Sequence, residues 1–163
     1  MANAGHLQIL LQGTDTWNKW VDENQSIYLD LSGTNLSNAN LSGANLRGAN
    51  LSGANLIQAD LIQANLQEAD LTQANLKEVN FSGAKLIQAI LTGADLSKGN
   101  LKEANIRQAN LSNANLSGAI LTIADLTQAD LRQANLSKAI LNRAYLIQAD
   151  LTEVIIDQTN PMC

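Results

Sequence analysis

The sequence predicts an all-β solenoid with a short α-helical cap at its N-terminal end, and three periodic features predict it. An apolar residue recurs every five positions, running from Leu31, Leu36, Leu41 and Leu46 without insertion to Leu151 and Ile156, with Phe81 and Ile106 as substitutes. Two positions before each stands a small residue, usually Ala as at Ala39, Ala44, Ala49 and Ala54; Thr34, Val79, Gly99 and Val154 are the main departures. Between the two lies Asn or Asp in most repeats, for example Asn40, Asn45, Asp60, Asp70, Asn105 and Asp130.

Residues 1–28 lack the period and are read as the cap. Leu7, Leu10 and Leu11 stand at helical spacing, as do Trp17, Trp20 and Val21. Gly13 followed by Thr14 and Asp15 predicts a break between two short helices, the first stopping near Gly13 and the second capped by Thr14 or Asp15. An open solenoid end exposes core and unpaired backbone. These apolar residues are therefore expected to cover the first coil rather than to form an aromatic ligand platform.

Residues 29–158 carry the repeat. In an α-helix five residues advance about 500°, so successive Leu residues shift by roughly 140° and no apolar stripe forms. A flat strand fails because five is odd, and consecutive Leu residues would point to opposite faces. A bend in every repeat resolves both problems: Leu and the preceding small residue face inward, and the other three positions face out. The chain then winds around a filled axis, with coils stacked at roughly the strand spacing of 4.7–4.9 Å.

The block A-N/D-L-S/T-G/Q resembles the pentapeptide repeat proteins, a family abundant in cyanobacteria. The resemblance covers about 26 tandem blocks of this chain. It implies a right-handed quadrilateral β-helix of four repeats, hence twenty residues, per coil, and so about 6.5 coils for residues 29–158. Residues twenty apart should then lie above one another. Val79, oversized for its position, would sit beside Gly99, undersized for the same column.

At the other end only a tail, residues 159–163, follows the repeat. Either it folds over Leu151, Val154 and Ile156, or a second copy covers them in an end-to-end homodimer, which is the expectation. Cys163 is the sole cysteine and is read as a reduced tail thiol, so no intramolecular disulfide framework or multi-cysteine metal site exists.

Composition narrows the function. The formal net charge of −5 leaves no broad electrostatic footprint for direct nucleic-acid binding. Residues 1–11 lack a basic region followed by an apolar stretch, and no run reaches membrane-spanning length, so a cytoplasmic protein without membrane contact is expected. Catalysis needs convergent groups. His6 is the only histidine, lies outside the repeat, and is read as a solvated or capping side chain. The glycines of residues 42–55 follow the five-residue period and read as turn positions rather than a phosphate cradle. No enzyme and no cofactor are expected.

Surface columns supply the remaining candidates. Asp30, Asp70, Asp130 and Asp150 share one outward column, in which Asp130 and Asp150 could hold a cation or share a proton. The preferred reading is that Asp replaces Asn as a local acceptor for turn amides, so no metal is assigned. Ser32, Ser52, Thr72, Thr92, Ser112 and Thr152 form a hydroxyl column broken by Arg132, a mixed array poorly suited to ice. Apolar residues replace polar ones at Ile120 and Ile140, which stack directly, at Ile123 on the same side, and at Tyr145 and Ile147 on the adjoining side. This patch is expected to bind a protein partner, making the chain an interaction scaffold or regulatory rod. The family resemblance implies an alternative, a DNA mimic that inhibits or protects a type II topoisomerase. Against it, Lys and Arg are interspersed with the acids along the repeat, and the C-terminal dimerisation helix of that subgroup is missing.

Overall fold

The computed structural model describes residues 2–157. Two short helices, α1 (Ala4–Leu10) and α2 (Thr14–Glu23), precede a solenoid that begins at Asp30. Parallel bridges join every fifth residue to the residue twenty positions on, from Asp30 with Asn50 and Asn35 with Asn55 through to Asn135 with Ile155. Each coil is therefore twenty residues long and carries four bridges, one on each of four five-residue sides. Among the described residues these bridges remain isolated and no extended strand forms, so the β pairing is confined to one residue on each side of a coil.

The corner explains why strands stop at one residue. The fourth residue of each repeat, counting from the small residue's Asn or Asp neighbour, has a left-handed backbone. Glycine fills this place at Gly33, Gly43, Gly48 and Gly53, with φ between 62° and 68°, but Gln58, Gln63, Glu68, Lys98 and others adopt φ of 54° to 61° there. A left-handed residue turns the chain onto the next side and ends any ladder after a single bridge.

All five backbone donors of a typical repeat are nevertheless satisfied. Around Leu51, its N–H donates to Asp70 O of the next coil at 2.7 Å and Gly53 N–H donates to Thr72 O at 2.9 Å. Asn50 N–H donates back to Leu29 O at 2.8 Å, and Ala54 N–H closes the turn onto Leu51 O at 3.0 Å. The fifth donor, Ser52 N–H, is taken by the Asn50 side chain at 3.0 Å. The same Asx turn recurs at Asp70, Asp95, Asn110, Asp130, Asn135 and Asp150. This is why Asn or Asp stands between the small residue and the central apolar one.

Inside the coils, the Leu and Ala columns form one continuous core from Leu29 to Ala139, with nearly every member fully buried. Complete burial contributes about 1.5–3 kcal/mol for each Leu, a gain that chain entropy largely offsets. Ala is required two positions earlier because the turn brings that Cβ against the preceding backbone. At Gly99 an added Cβ would lie 3.0 Å from Leu96 O and 3.3 Å from Val79 Cγ1. Val79 thus fills the space that Gly99 leaves, as the column register predicted.

The N-terminal cap works through polar contacts as much as apolar ones. Trp17 is fully buried over the first coil and donates its Nε1–H to Asn45 O at 2.8 Å. Asn18 holds the same edge twice, donating to Gly43 O at 3.0 Å and accepting Asn45 N–H at 2.7 Å. On the α1 side, Asn3 N–H donates to Asp30 O at 3.0 Å, while Asp30 N–H donates to His6 Nδ1 at 3.1 Å. Leu10 is buried, and Leu7, Trp20 and Val21 pack half-buried against the core.

Two expectations change here. Leu11 follows the end of α1 and is 64% exposed, so it leaves the apolar cover that helical spacing assigned to it. Gly13, with φ of 113°, caps α2 without a side-chain hydrogen bond, in place of Thr14 or Asp15. Of the two places expected for His6, solvated or capping, it takes the capping one, buried with its ring 5.3 Å from that of Trp20 and accepting Asp30 N–H. The tail at residues 159–163, its cover over the last coil by folding back or by a second copy, and Cys163 lie outside the described residues.

Replacing Gly99 by Ala should destabilise the protein by about 1–3 kcal/mol through overpacking. Adding Val79→Ala should recover most of that loss, because the added methyl then has the space that Val79 Cγ1 occupied. A double-mutant cycle from urea unfolding measures the coupling; additive effects would mean that the two residues do not share one space.

Candidate interaction surface

The side that carries residues 120 and 140 departs from the repeat rules in three places. Ile120 and Ile140 are bridged across adjacent coils and occupy the slot that Asn or Asp fills in most repeats. Isoleucine has no acceptor for the amide two residues on, so the Asx turn seen in most repeats is missing at Thr122 and Asn142, as it is after Lys85, Ile90, Tyr145 and Ile155. Only at 120 and 140 do two such residues stack directly on adjacent coils. Each missing bond forgoes about 0.5–1.5 kcal/mol.

Ile123 is the third departure. It stands at the left-handed corner with φ of 60°, the only β-branched residue to do so among the described residues. A non-glycine residue in this conformation costs roughly 1–2 kcal/mol, and β-branching crowds it further. All three isoleucines are exposed, at 37% to 44%. Ile123 N–H donates to Asn142 O at 3.0 Å, which keeps the corner in register with the coil that carries Ile140.

Tyr145 and Ile147 lie around that corner on the adjoining side. Tyr145 is bridged to Asp125, and Ile147 O accepts Gln128 N–H at 2.8 Å; both side chains are exposed. The structure therefore places the five residues on two adjoining sides, with Ile123 at the corner. Ile90 belongs to a different column and stands apart from them.

The other columns are chemically quieter. Arg132 lies between Asp130 and Asp150, donating to Asp130 Oδ1 at 2.9 Å and Oδ2 at 2.6 Å, with Nε 3.8 Å from Asp150 Oδ2. The guanidinium stands where a shared cation would have to sit. Hydrogen bonds from Arg132 hold the Asp130 carboxyl below the usual range, and the Thr152 hydroxyl and N–H do the same for Asp150. Sharing a proton would instead raise one of the two. Asp30 is likewise lowered, chiefly by Ser32 N–H. No group of three or more His, Cys, Asp and Glu placed to hold a metal occurs among the described residues.

In the hydroxyl column, Ser52 and Ser112 donate to their own Asn partners at 2.7 Å, and Thr152 donates to Asp150 at 2.6 Å. These three hydroxyls are each engaged by the Asx turn of their own repeat. Trp17, being fully buried, offers no platform to a ligand. Periodicity did not single out the open cleft of about 670 Å³ between the end of α2 and the first coil, lined by Ile27, Tyr28, Asn45, Arg47 and Glu68. An Arg47–Glu68 ion pair of 3.0 Å contributes to its wall. No described helix is long and apolar enough to cross a membrane.

Comparison with known proteins agrees with this geometry. The family model for pentapeptide repeats matches eight copies over residues 30–67, 54–93, 64–102, 94–137 and 129–160. Among solved structures, the chain is similar to full-length QnrB1, a plasmid-mediated fluoroquinolone resistance protein, at 22% identity and a TM-score of 0.66, covering 78% of this chain and 67% of that one. It is also similar to HetL, a pentapeptide repeat protein involved in heterocyst differentiation regulation from the cyanobacterium Nostoc sp. strain PCC 7120, at 32% identity and a TM-score of 0.38, covering 80% and 77% of the two chains. Rfr23 from the cyanobacterium Cyanothece 51142 matches at 28% identity and a TM-score of 0.43, covering 88% and 99%. Among curated proteins none matches the chain.

Ile123→Gly should raise the thermal midpoint, by the equivalent of about 1 kcal/mol or more, because glycine adopts the corner conformation without strain. Thermal denaturation checks this, and an unchanged or lower midpoint contradicts it. The depressed carboxyls set the acid response. Their stabilising contribution is complete above the unfolded pKa of about 3.9 and is lost as pH falls through the lower folded values. Melting temperature should therefore decline below about pH 4, and Asp30→Asn with Asp130→Asn and Asp150→Asn should flatten that decline, since Asn keeps the Asx acceptor without the charge.

Proposed function

Because the chain belongs to the pentapeptide repeat family, we propose that it is a non-enzymatic interaction scaffold, a right-handed quadrilateral β-helix that presents its C-terminal third to a protein partner in the cytoplasm. The observation that carries this reading is the clustering of three costly departures on one face. Ile120 and Ile140 forgo Asx turns, Ile123 accepts a strained corner, and all three present apolar surface to solvent. Strain and lost hydrogen bonds persist where a function requires the residue. Docking recovers such a cost by removing the isoleucines from water.

The DNA-mimic reading has weaker support. A mimic needs unneutralised carboxylates along its length, whereas Glu68, Asp95, Asp125 and Asp130 are paired with Arg47, Lys77, Arg107 and Arg132 at 2.6–3.4 Å. An ice-binding or cation-binding role is likewise weakened by the hydroxyls of Ser52, Ser112 and Thr152 already bonded within their Asx turns and by Arg132 in the acidic column.

Ile120→Lys combined with Ile140→Lys should leave the melting temperature within a few degrees of wild type, since both side chains point outward and Lys85 already occupies an equivalent slot. The same pair should abolish capture of the partner from a lysate of the source organism. Capture that survives the double substitution would move the binding surface elsewhere. A gyrase supercoiling assay separates the alternative, because a mimic inhibits or protects the enzyme and a scaffold does neither.

A further inference from the structure

The isoleucine strip is framed by cations that make no ion pair among the described residues. Lys98 and Lys138 stand in the corner column that precedes the Ile120 and Ile140 column, Lys138 directly before Ile140 and Lys98 one coil below the corner before Ile120. Arg143 occupies the corner after Ile140, one coil beyond Ile123. None of the three makes an ion pair among the described residues, whereas Arg47, Lys77, Lys102, Arg107 and Arg132 all do. Between Lys98 and Lys138 stands Gly118, and the Lys98 stem lies over it, with Cγ 3.6 Å from the position a Cβ would take. The two lysine backbone positions, about 10 Å apart at two coil spacings, thus border one edge of the strip.

The local charge opposes that of the whole chain. On this side of the three coils, residues 98–103, 118–123 and 138–143, four cations, Lys98, Lys102, Lys138 and Arg143, stand with one carboxylate, Glu103. Asp125, paired with Arg107, and Asp157 flank it on the adjoining sides, and Glu78 lies one coil below Lys98. Glu103 is already paired with Lys102 at 3.4 Å, and Asp157 accepts Lys138 N–H at 3.0 Å. A basic rim around an apolar strip, on a chain of net charge −5, selects its partner by charge as well as by shape.

Resting on the scaffold reading, we propose that the partner of this face is an acidic protein segment, one whose apolar side chains cover Ile120, Ile123 and Ile140 while flanking carboxylates pair with Lys98, Lys138 and Arg143. Nucleic acid would match the cations but leave the isoleucines in water. A second copy of this chain would have to find a matching acidic and apolar segment on itself.

The test is selection of a random twelve-residue peptide display library against the full chain. Affinities of the enriched peptides are then measured by fluorescence anisotropy for wild type, for I120K/I140K, and for K98E/K138E/R143E. Glutamate suits the altered corners, since Glu78 and Glu103 already occupy equivalent left-handed places. Melting curves verify that both variants fold.

The expected result is enrichment of peptides with net negative charge and apolar residues. They should lose binding to I120K/I140K, weaken at least tenfold with K98E/K138E/R143E, and recover when their own acids are exchanged for Lys. Peptides that need the isoleucines but show no acidic bias, or bind the triple variant unchanged, would overturn the charge assignment and leave the scaffold reading standing. Absence of any peptide that depends on the isoleucines would overturn both. Equal or tighter binding of a fluorescent twenty-base-pair DNA duplex at this face would assign it to nucleic acid, and a concentration-dependent dimer mass abolished by I120K/I140K would assign it to a second copy; either result overturns the proposal.

Discussion

Every fifth residue of the rod has to turn a corner in the left-handed region of backbone space, and the remaining features follow from that turn. It sets Leu and Ala inward on the same side of the chain despite their odd spacing from one repeat to the next. It also ends each ladder at one bridge, so the coils are joined by many short contacts rather than by strands. The donors released at the corner are taken up in two ways, by the i−3 carbonyl and by the Asn or Asp side chain. Glycine meets the turn at no cost, yet Gln, Glu, Lys, Arg and Ile also occupy it, because the hydrogen bonds to both neighbouring coils hold the backbone there.

A rod built by repetition gives its information to the exceptions. Where a side chain obeys the five-residue rules, its role is structural: Leu fills the axis, Ala fits against the turn, and Asn closes it. The isoleucines at 120, 123 and 140 break the outward rules in ways that lower stability, and they do so together. The first coil also required a solution, since its upper edge has no coil above it. Helices α1 and α2 supply one by pointing Asn3, His6, Trp17 and Asn18 at the open backbone groups of Asp30, Gly43 and Asn45.

Periodicity made the core legible, and the family resemblance implied the twenty-residue register, down to the partnership of Val79 with Gly99. The polar half of the cap was not legible, because hydrogen bonds from Asn3 and Asn18 to a distant coil leave no pattern in the local sequence. Leu11 misled for a related reason: α1 ends at Leu10, and one residue past the last turn a helical spacing no longer describes which way a side chain faces. The glycines at 43, 48 and 53 were readable as turns, and the same period extends that conformation to position 123. Carried one step further, the sequence alone would have flagged Ile123 as strained.

The claim on which everything rests is that twenty residues advance the chain by one strand spacing along a straight axis. Nitroxide labels in the outward hydroxyl column test it directly, with cysteines introduced at Thr72 and Thr152, or at Ser32 and Thr152, in a Cys163→Ser background. Pulsed electron resonance should give narrow distributions near about 19 Å for the first pair and about 29 Å for the second, four and six coils apart at about 4.8 Å each. Distances that do not scale with the number of coils, or distributions too broad to resolve, would contradict the account.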